Sequence, residues 1–306
     1  MANSTILSLM QTTLQAMGLV GYGLPATVIG NSNQDIVQAL AMINSEAGAL
    51  AREHQWQALR TQYNFTATYY QYTGTSAVGS ASLTSMSSIA SLDSTFMVTG
   101  TGIPQDTFVD SAASTTVVMN RAATAAGTGE TFTFSKTRFA PPADFDRPVD
   151  RTQWDKSKHW EMLGPITAQQ EEWLRSGYIS TGPRIRYWMQ QGYFQIWPPL
   201  GTTESLSYEY MSKYWIFATA ATAPTKELFT VDTDTCIFPD PLMRALIRLK
   251  YFEVKGFDTT AYRTAYLQAL DLAKAHDAGN ATLNMNPRPG SILIGYENIP
   301  DSGYGT

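Results

Sequence analysis

A single cysteine, Cys236, is all the thiol this 306-residue chain carries. One cysteine excludes an intramolecular disulfide and fits assembly in a reducing cytoplasm. Its segment reads as a strand, with Cys236 as a small buried apolar residue. Histidine is almost as scarce. His54, His159 and His276 are the full set, and they do not stand at metal-ligand spacing. His54 and His276 fall in helix-terminal turns, where a histidine complements the helix dipole. Charged residues make up 15% of the chain, against a usual share of about 25%. A net charge of −5 lacks the clustered basic footprint of a nucleic-acid binder. The first basic residue is Arg52, so no positive leader precedes an apolar stretch. No apolar run approaches the roughly 18 residues that cross a bilayer. The expectation is no membrane contact, no metal and no cofactor.

Patterns that carry chemistry are also missing. The glycine-rich loop from Gly18 to Gly23 is not followed by Gly-Lys-Ser/Thr, and no Gly-x-Ser-x-Gly elbow occurs. Glu171-Glu172 and the Asp144/Asp146 pair are the nearest approach to paired carboxylates. Glycosidase acids face each other across a cleft, about 5 to 9.5 Å apart. Adjacent helical residues do not face each other, so Glu171 and Glu172 read as a solvated first-turn pair. Asp144 and Asp146 read as turn formers in a proline-rich loop.

What the chain does have is 43% hydrophobic residues, enough for one large domain or two modest ones, and 12% aromatics, including 7 Trp and 16 Tyr. Aromatic side chains are enriched in interface cores, where Lys and Glu are depleted. Trp154, Trp160, Trp188, Trp197 and Trp215 read as core or inter-subunit residues, with a sugar-binding platform as the rival reading.

Periodicity places helices at both ends and strands between. Ile6, Met10, Leu14 and Met17 predict a first helix capped by Asn3 or Ser4 and stopped by Gly18. Ile36, Leu40, Ile43, Ala47, Leu50 and His54 predict a second, starting near Asn33. Gly48 inside it costs about 1 kcal/mol against Ala and is expected to mark close packing. From Tyr63 the period drops to two through Phe65, Ala67 and Tyr69. Residues 141–164 read as irregular, and Thr167-x-x-Gln170 as the capping box of a short helix. A hairpin is expected about Gln191-Gly192, then a strand through Leu206, Tyr208 and Tyr210. Asp240-Pro241 predicts the next helix, with Asp240 as N-cap, Leu242, Leu246 and Leu249 inward and Gly256 at its end. A last helix spans about 258–276, with Tyr262, Tyr266, Ala269 and Ala273 on one face.

The composition breaks at one place. Of the 64 residues in 73–136, 39 are Gly, Ser, Thr or Ala, and none is Trp or Tyr. Phe96, Val98, Phe108, Phe132 and Phe134 mark short strands there, so the segment reads as an inserted small all-β module. The fold class expected is α+β. A bundle of the N- and C-terminal helices packs beside an antiparallel β-sandwich or barrel. Residues 1–72 and 137–280 form the main body, 73–136 the insertion and 281–306 an extended tail.

Two docking candidates follow. Arg244, Arg248 and Lys255 form a basic stripe on the first C-terminal helix, read either as solvated charges paired to nearby acids or as a contact for an acidic neighbouring subunit. Ile292, Leu293, Ile294 and Tyr296 form an apolar run in a tail without helical period, suited to lie along an adjacent chain.

Three ordered runs resemble the head-to-tail adaptor proteins of short-tailed bacteriophages, also called tail tubular protein A or gatekeeper-like proteins. The first comprises Pro25-Ala26-Thr27-Val28-Ile29-Gly30, Ile36 to Leu40, Ile43-Asn44, Gly48, Leu50-Ala51 and Trp56-Gln57-x-Leu59. The second is Pro142-Ala143-Asp144-Phe145-Asp146-Arg147, Trp154-Asp155, Gly164-Pro165, Arg184-Ile185-Arg186, Ile196-Trp197-Pro198-Pro199 and Tyr208 to Trp215. The third is Phe238-Pro239-Asp240 with the helices after it. Together they cover most of the chain outside 73–136. The insertion resembles small β-modules embedded in phage structural proteins, around Val98-Thr99-Gly100-Thr101-Gly102-Ile103-Pro104. The plainest adaptors lack it. The resemblance implies a virion protein assembled in the host cytoplasm and without enzyme activity. It implies a dodecameric ring of copies between a portal protein and a tail nozzle protein, with genomic DNA passing through without specific binding. The inserted module is then a candidate contact for tail fibres. A tail-fibre or receptor-binding virion component, and more remotely a cell-wall hydrolase, are the competing expectations.

Overall fold

The structure is a computed structural model that describes residues 3–18, 24–176 and 184–277. Helix α1 (Ile6–Ala16) is capped by Thr5, whose hydroxyl accepts the Ser8 N–H at 3.3 Å. Asn3 and Ser4, expected to cap it, have tertiary partners instead. The Asn3 amide donates to the Cys236 and Phe238 carbonyls at 2.6 and 3.1 Å, and the Ser4 N–H to Asp240 Oδ1 at 3.0 Å. Helix α2 (Gln34–Glu53) starts behind Asn33 as expected, the Asn33 side chain accepting the Asp35 N–H at 3.0 Å. Its buried stripe is Ile36, Ala39, Ile43, Ala47, Leu50 and Ala51, while His54 lies past its end as the C-cap. Close packing is not the reason for Gly48, because a Cβ built there meets nothing within 4 Å.

Strand β1 (Arg60–Ala67) turns Phe65 and Ala67 inward. It breaks at Thr68, and the chain enters a second unit. That unit contains β2 (Tyr69–Ser76), β3 (Ser82–Leu83), β4 (Phe96–Thr99), β5 (Val109–Ala113), β6 (Thr116–Met119) and β7 (Gly127–Lys136). These form two three-stranded antiparallel sheets, β2-β7-β4 and β3-β6-β5. Leu83, Phe96, Val98, Val117, Phe132 and Phe134 fill the space between them. The pairing begins upstream of the compositional break, since Tyr70 and Tyr72 pack on that core.

Strand β8 (Arg138–Phe139) follows. The stretch 141–164, expected to be irregular, supplies β9 (Phe145–Pro148), β10 (Trp154–Asp155) and β11 (Trp160–Glu161). Strands of two to four residues carry too little alternation to register as a pattern; their tertiary partner orders them. Helix α3 (Ala168–Arg175) has the expected capping box, with the Gln170 N–H on Thr167 Oγ1 and the Thr167 N–H on Gln170 Oε1. β12 (Arg186–Gln190) and β13 (Tyr193–Trp197) form the expected hairpin. Gln191 and Gly192 both have positive φ, 52° and 76°, which gives the reverse turn that matches strand twist.

β14 (Glu204–Ser212), β15 (Ile216–Phe217) and β16 (Thr235–Cys236) precede α4 (Asp240–Val254) and α5 (Thr260–Asp277). The N-cap of α4 is Pro239, one residue before the expected Asp240. Asp240 opens the helix and turns its carboxylate to Ser4 instead. Gly256, with φ 75°, follows the end of α4 as expected.

Among the described residues the fold is α+β, with five helices and antiparallel sheets. Helices α1, α2, α4 and α5 from both ends of the chain share one core, built on Ile6, Met10, Ile43, Leu246 and Leu270. Strands β1, β9 and β10 flank β14, with β11 beyond β10. The sheet β12-β13-β8 packs on this group through Phe65, Phe139, Phe194 and Tyr208. The Phe194 and Tyr208 rings stack 4.9 Å apart at 18°. Strand β14 serves both cores, with Leu206, Tyr208 and Tyr210 among the sheets and Met211 among the helices.

Candidate docking surfaces

The basic stripe of α4 divides three ways. Lys255 Nζ meets Asp35 Oδ1 at 2.9 Å, tying the end of α4 to the first turn of α2. That hydrogen bond holds the Asp35 carboxyl below its ordinary range and raises the Lys255 ammonium. Arg244 lies 3.7 Å from Asp240, one turn earlier on the same helix. Arg248 meets no carboxylate among the described residues. The Nε atoms of both arginines are enclosed without a hydrogen-bond acceptor. Lys255 is thus tied to α2 of its own chain, and Arg248 is the member of the stripe without a carboxylate partner among the described residues. Ile292, Leu293, Ile294 and Tyr296 lie outside the described residues. The described chain ends at Asp277, whose carboxylate accepts the Gln57 N–H at 3.0 and 3.2 Å and lies 3.5 Å from His54 Nε2.

The carboxylates singled out from sequence do not pair. Asp144 Oδ1 accepts the Tyr210 hydroxyl at 2.8 Å, while Asp146 Oδ1 accepts from Arg52 Nε at 2.9 Å. Burial first, then that bond to Asp144, raises the Tyr210 phenol. Glu171 is not solvated as expected. It is 6% exposed and lies 3.0 Å from Arg175 one turn on, while Glu172 stays exposed.

Sequence reasoning missed a closer pair, Asp155 at the end of β10 and Glu204 at the start of β14, both buried. Burial and then contact with Glu204 push the Asp155 carboxyl up. Burial also opposes ionisation of Glu204, but bonds from Lys158, Thr202 and Asp155 outweigh it and hold Glu204 low. Asp155 also accepts the Ser157 and Lys158 backbone N–H groups at 2.9 and 3.1 Å. The pair thereby fixes the β10–β11 turn against β14. No sequence signal links residues on two separate strands.

A second unforeseen arrangement joins the insertion to the main body. Met97 and Phe108 pack with Leu174, Trp188 and Trp197. The Arg138 guanidinium lies 3.8 Å above the Phe108 ring, and Arg175 bridges Asp106 at 3.4 Å and Glu171 at 3.0 Å. Burial pushes the Asp106 carboxyl up against the pull of Arg175, and burial with Arg175 nearby lowers Arg138. The tryptophans therefore do not form one platform. Trp188 and Trp197 belong to this junction, Trp215 to the helical core, and Trp160 is exposed. Cys236 is buried in β16, where burial pushes its thiol up to about 12, so it is protonated at neutral pH. Groups of His, Cys, Asp and Glu arranged to hold a metal ion are absent among the described residues, as are helices long and apolar enough to cross a membrane.

Compared with known proteins, the chain matches no family model and no curated protein.

Proposed function

We propose that this chain is a non-enzymatic structural subunit of a tailed-phage virion, an adaptor that joins the portal to the tail nozzle. Copies form a dodecameric ring whose bore passes genomic DNA without specific recognition. One observation supports the reading: one aromatic residue from each of the three runs behind the resemblance meets in a single cluster. Trp56 from the first run packs edge-on against Phe238 from the third, 5.3 Å between centroids, and Trp215 from the second lies 5.8 Å from the same ring. Residues widely separated in sequence thus come together in the core of the terminal helices. The charge-poor surface and Arg248 on α4 fit docking on a portal or on an adjacent copy. The tail residues Ile292, Leu293, Ile294 and Tyr296 belong to the same docking function. The inserted module contacts tail fibres.

The test is assembly. Mixed with purified portal at micromolar concentration and moderate salt, the chain should elute as a stoichiometric complex, and Arg248→Glu should weaken it. Separate elution removes the adaptor reading and leaves the tail-fibre component as its successor.

A further inference from the structure

Strand β1 ends its sheet. All its residues pair with β14, and among the described residues no strand pairs with its other side. A free edge of this length is a template for another strand, and proteins usually blunt it with proline, a bulge or charge. β1 has no proline and no register shift. Its one charged residue, Arg60, is already engaged with Glu209 on β14 at 3.3 Å. Tyr63 and Phe65 share the inward face, their rings stacked 5.6 Å apart, yet Tyr63 is only half-buried. The apolar layer stops short at this edge.

The described chain also stops near the start of β1. Asp277 is hydrogen-bonded to the Gln57 N–H, immediately ahead of β1. Downstream in the sequence, Ser291-Ile292-Leu293-Ile294-Gly295-Tyr296 has the period of a strand, with Ile292, Ile294 and Tyr296 on one face. We propose that the outer edge of β1 receives residues 291–296 of a second copy of this chain as an added antiparallel strand. Ile292, Ile294 and Tyr296 then lie beside Tyr63 and Phe65 and complete the layer.

Direction selects a second copy over the chain's own tail. From Asp277, beside Gln57 and ahead of β1, a direct path along the strand is parallel to it. The paired strands among the described residues are antiparallel, with one isolated parallel bridge at Leu163 and Arg186, and antiparallel pairing is slightly more stable per residue. To pair that way, the chain's own tail must pass the full length of β1 and reverse within residues 278–290. A neighbour's segment enters from the far end without that reversal. The proposal rests on the ring reading for its supply of neighbouring copies, but its test uses no portal.

Hydrogen exchange over residues 60–67 is the measurement. In the full-length chain carrying Ile292→Asp and Ile294→Asp, the outward amides of β1 should exchange as an open edge does. A synthetic peptide of residues 288–299 at millimolar concentration should slow them about fivefold or more, with β14 unchanged. Absence of slowing overturns the proposal, whether or not the chain binds a portal. In the unsubstituted chain the protection should grow with protein concentration. Protection that is absent at the highest concentration overturns it, and so does protection that is complete and constant at the lowest, which assigns the edge to the chain's own tail.

Discussion

The side-chain amide of Asn3 donates to the backbone carbonyl of Cys236 at 2.6 Å, so the start of the chain is stitched to the strand that leads into α4. Ser4 continues the seam by binding Asp240. Asn3→Ala should therefore cost more than loss of a surface residue, about 1–2 kcal/mol with the two carbonyls left short of a donor. Urea denaturation measures it. A cost within a few tenths of a kcal/mol would mean that water replaces the amide and the seam adds nothing.

Asp234 is the group whose charge the 218–234 loop depends on. Its carboxylate is fully buried, bonded to Lys226 Nζ at 2.8 and 2.9 Å and to the Thr230 and Val231 N–H groups at 3.0 Å. Burial works against ionisation, but these bonds outweigh it and hold the acid below its ordinary 3.8. With the folded value depressed, the stabilisation is fully present above the unfolded value and lost as pH falls through the folded one. Asp234→Asn should cost about 2–3 kcal/mol at neutral pH, discounted for the partial exposure of Lys226. The gap between the two proteins should close as pH drops below the ordinary carboxylate range. Parallel melting curves at every pH would contradict this assignment.

The insertion is anchored as well as inserted. Replacing residues 75–135 by a short Gly/Ser linker should preserve the far-UV helical signal, because the shared core of α1, α2, α4 and α5 draws nothing from it. The shortened protein should nevertheless bind a hydrophobic dye and melt earlier, since Trp188, Trp197 and Leu174 lose the cover of Met97 and Phe108. In the intact chain, Phe108→Ala should cost about 3 kcal/mol or more. Loss of the helical signal on deletion would show that the two units fold only together.

Gly48→Ala offers a stabilising counterpart. With open space at the Cβ position, the substitution should raise stability by about 0.5–1 kcal/mol through helix propensity alone. A loss of stability would reveal an obstruction that the geometry does not contain.

The terminal helices, the hairpin at Gln191-Gly192 and the capping box at Thr167 were legible because each is set by a local period or a local hydrogen bond. Strands β9, β10 and β11 were not, because residues so few in number borrow their order from β14. The misplaced caps have the same cause. Asn3, Ser4 and Asp240 have the chemistry of caps, but a tertiary partner competes with the nearby N–H groups and wins. The basic stripe was visible as helical spacing, while the partner of Lys255 required knowing that α2 packs on α4. The Asp155–Glu204 pair and the Asp106–Arg175–Glu171 junction exist only once distant strands have been brought together.

Because β14 sits in both cores, it gives a continuous covalent path from the helices to the β-region. A pull on the helices reaches the β-region through Met211 and is spread along a ladder that engages every residue of β1. Hydrogen bonds loaded in shear along such a ladder share the load and fail together, whereas bonds peeled from one end fail in turn. The eight residues of β1 paired in one unbroken register on β14 are therefore the place where strain between the two cores would be shared.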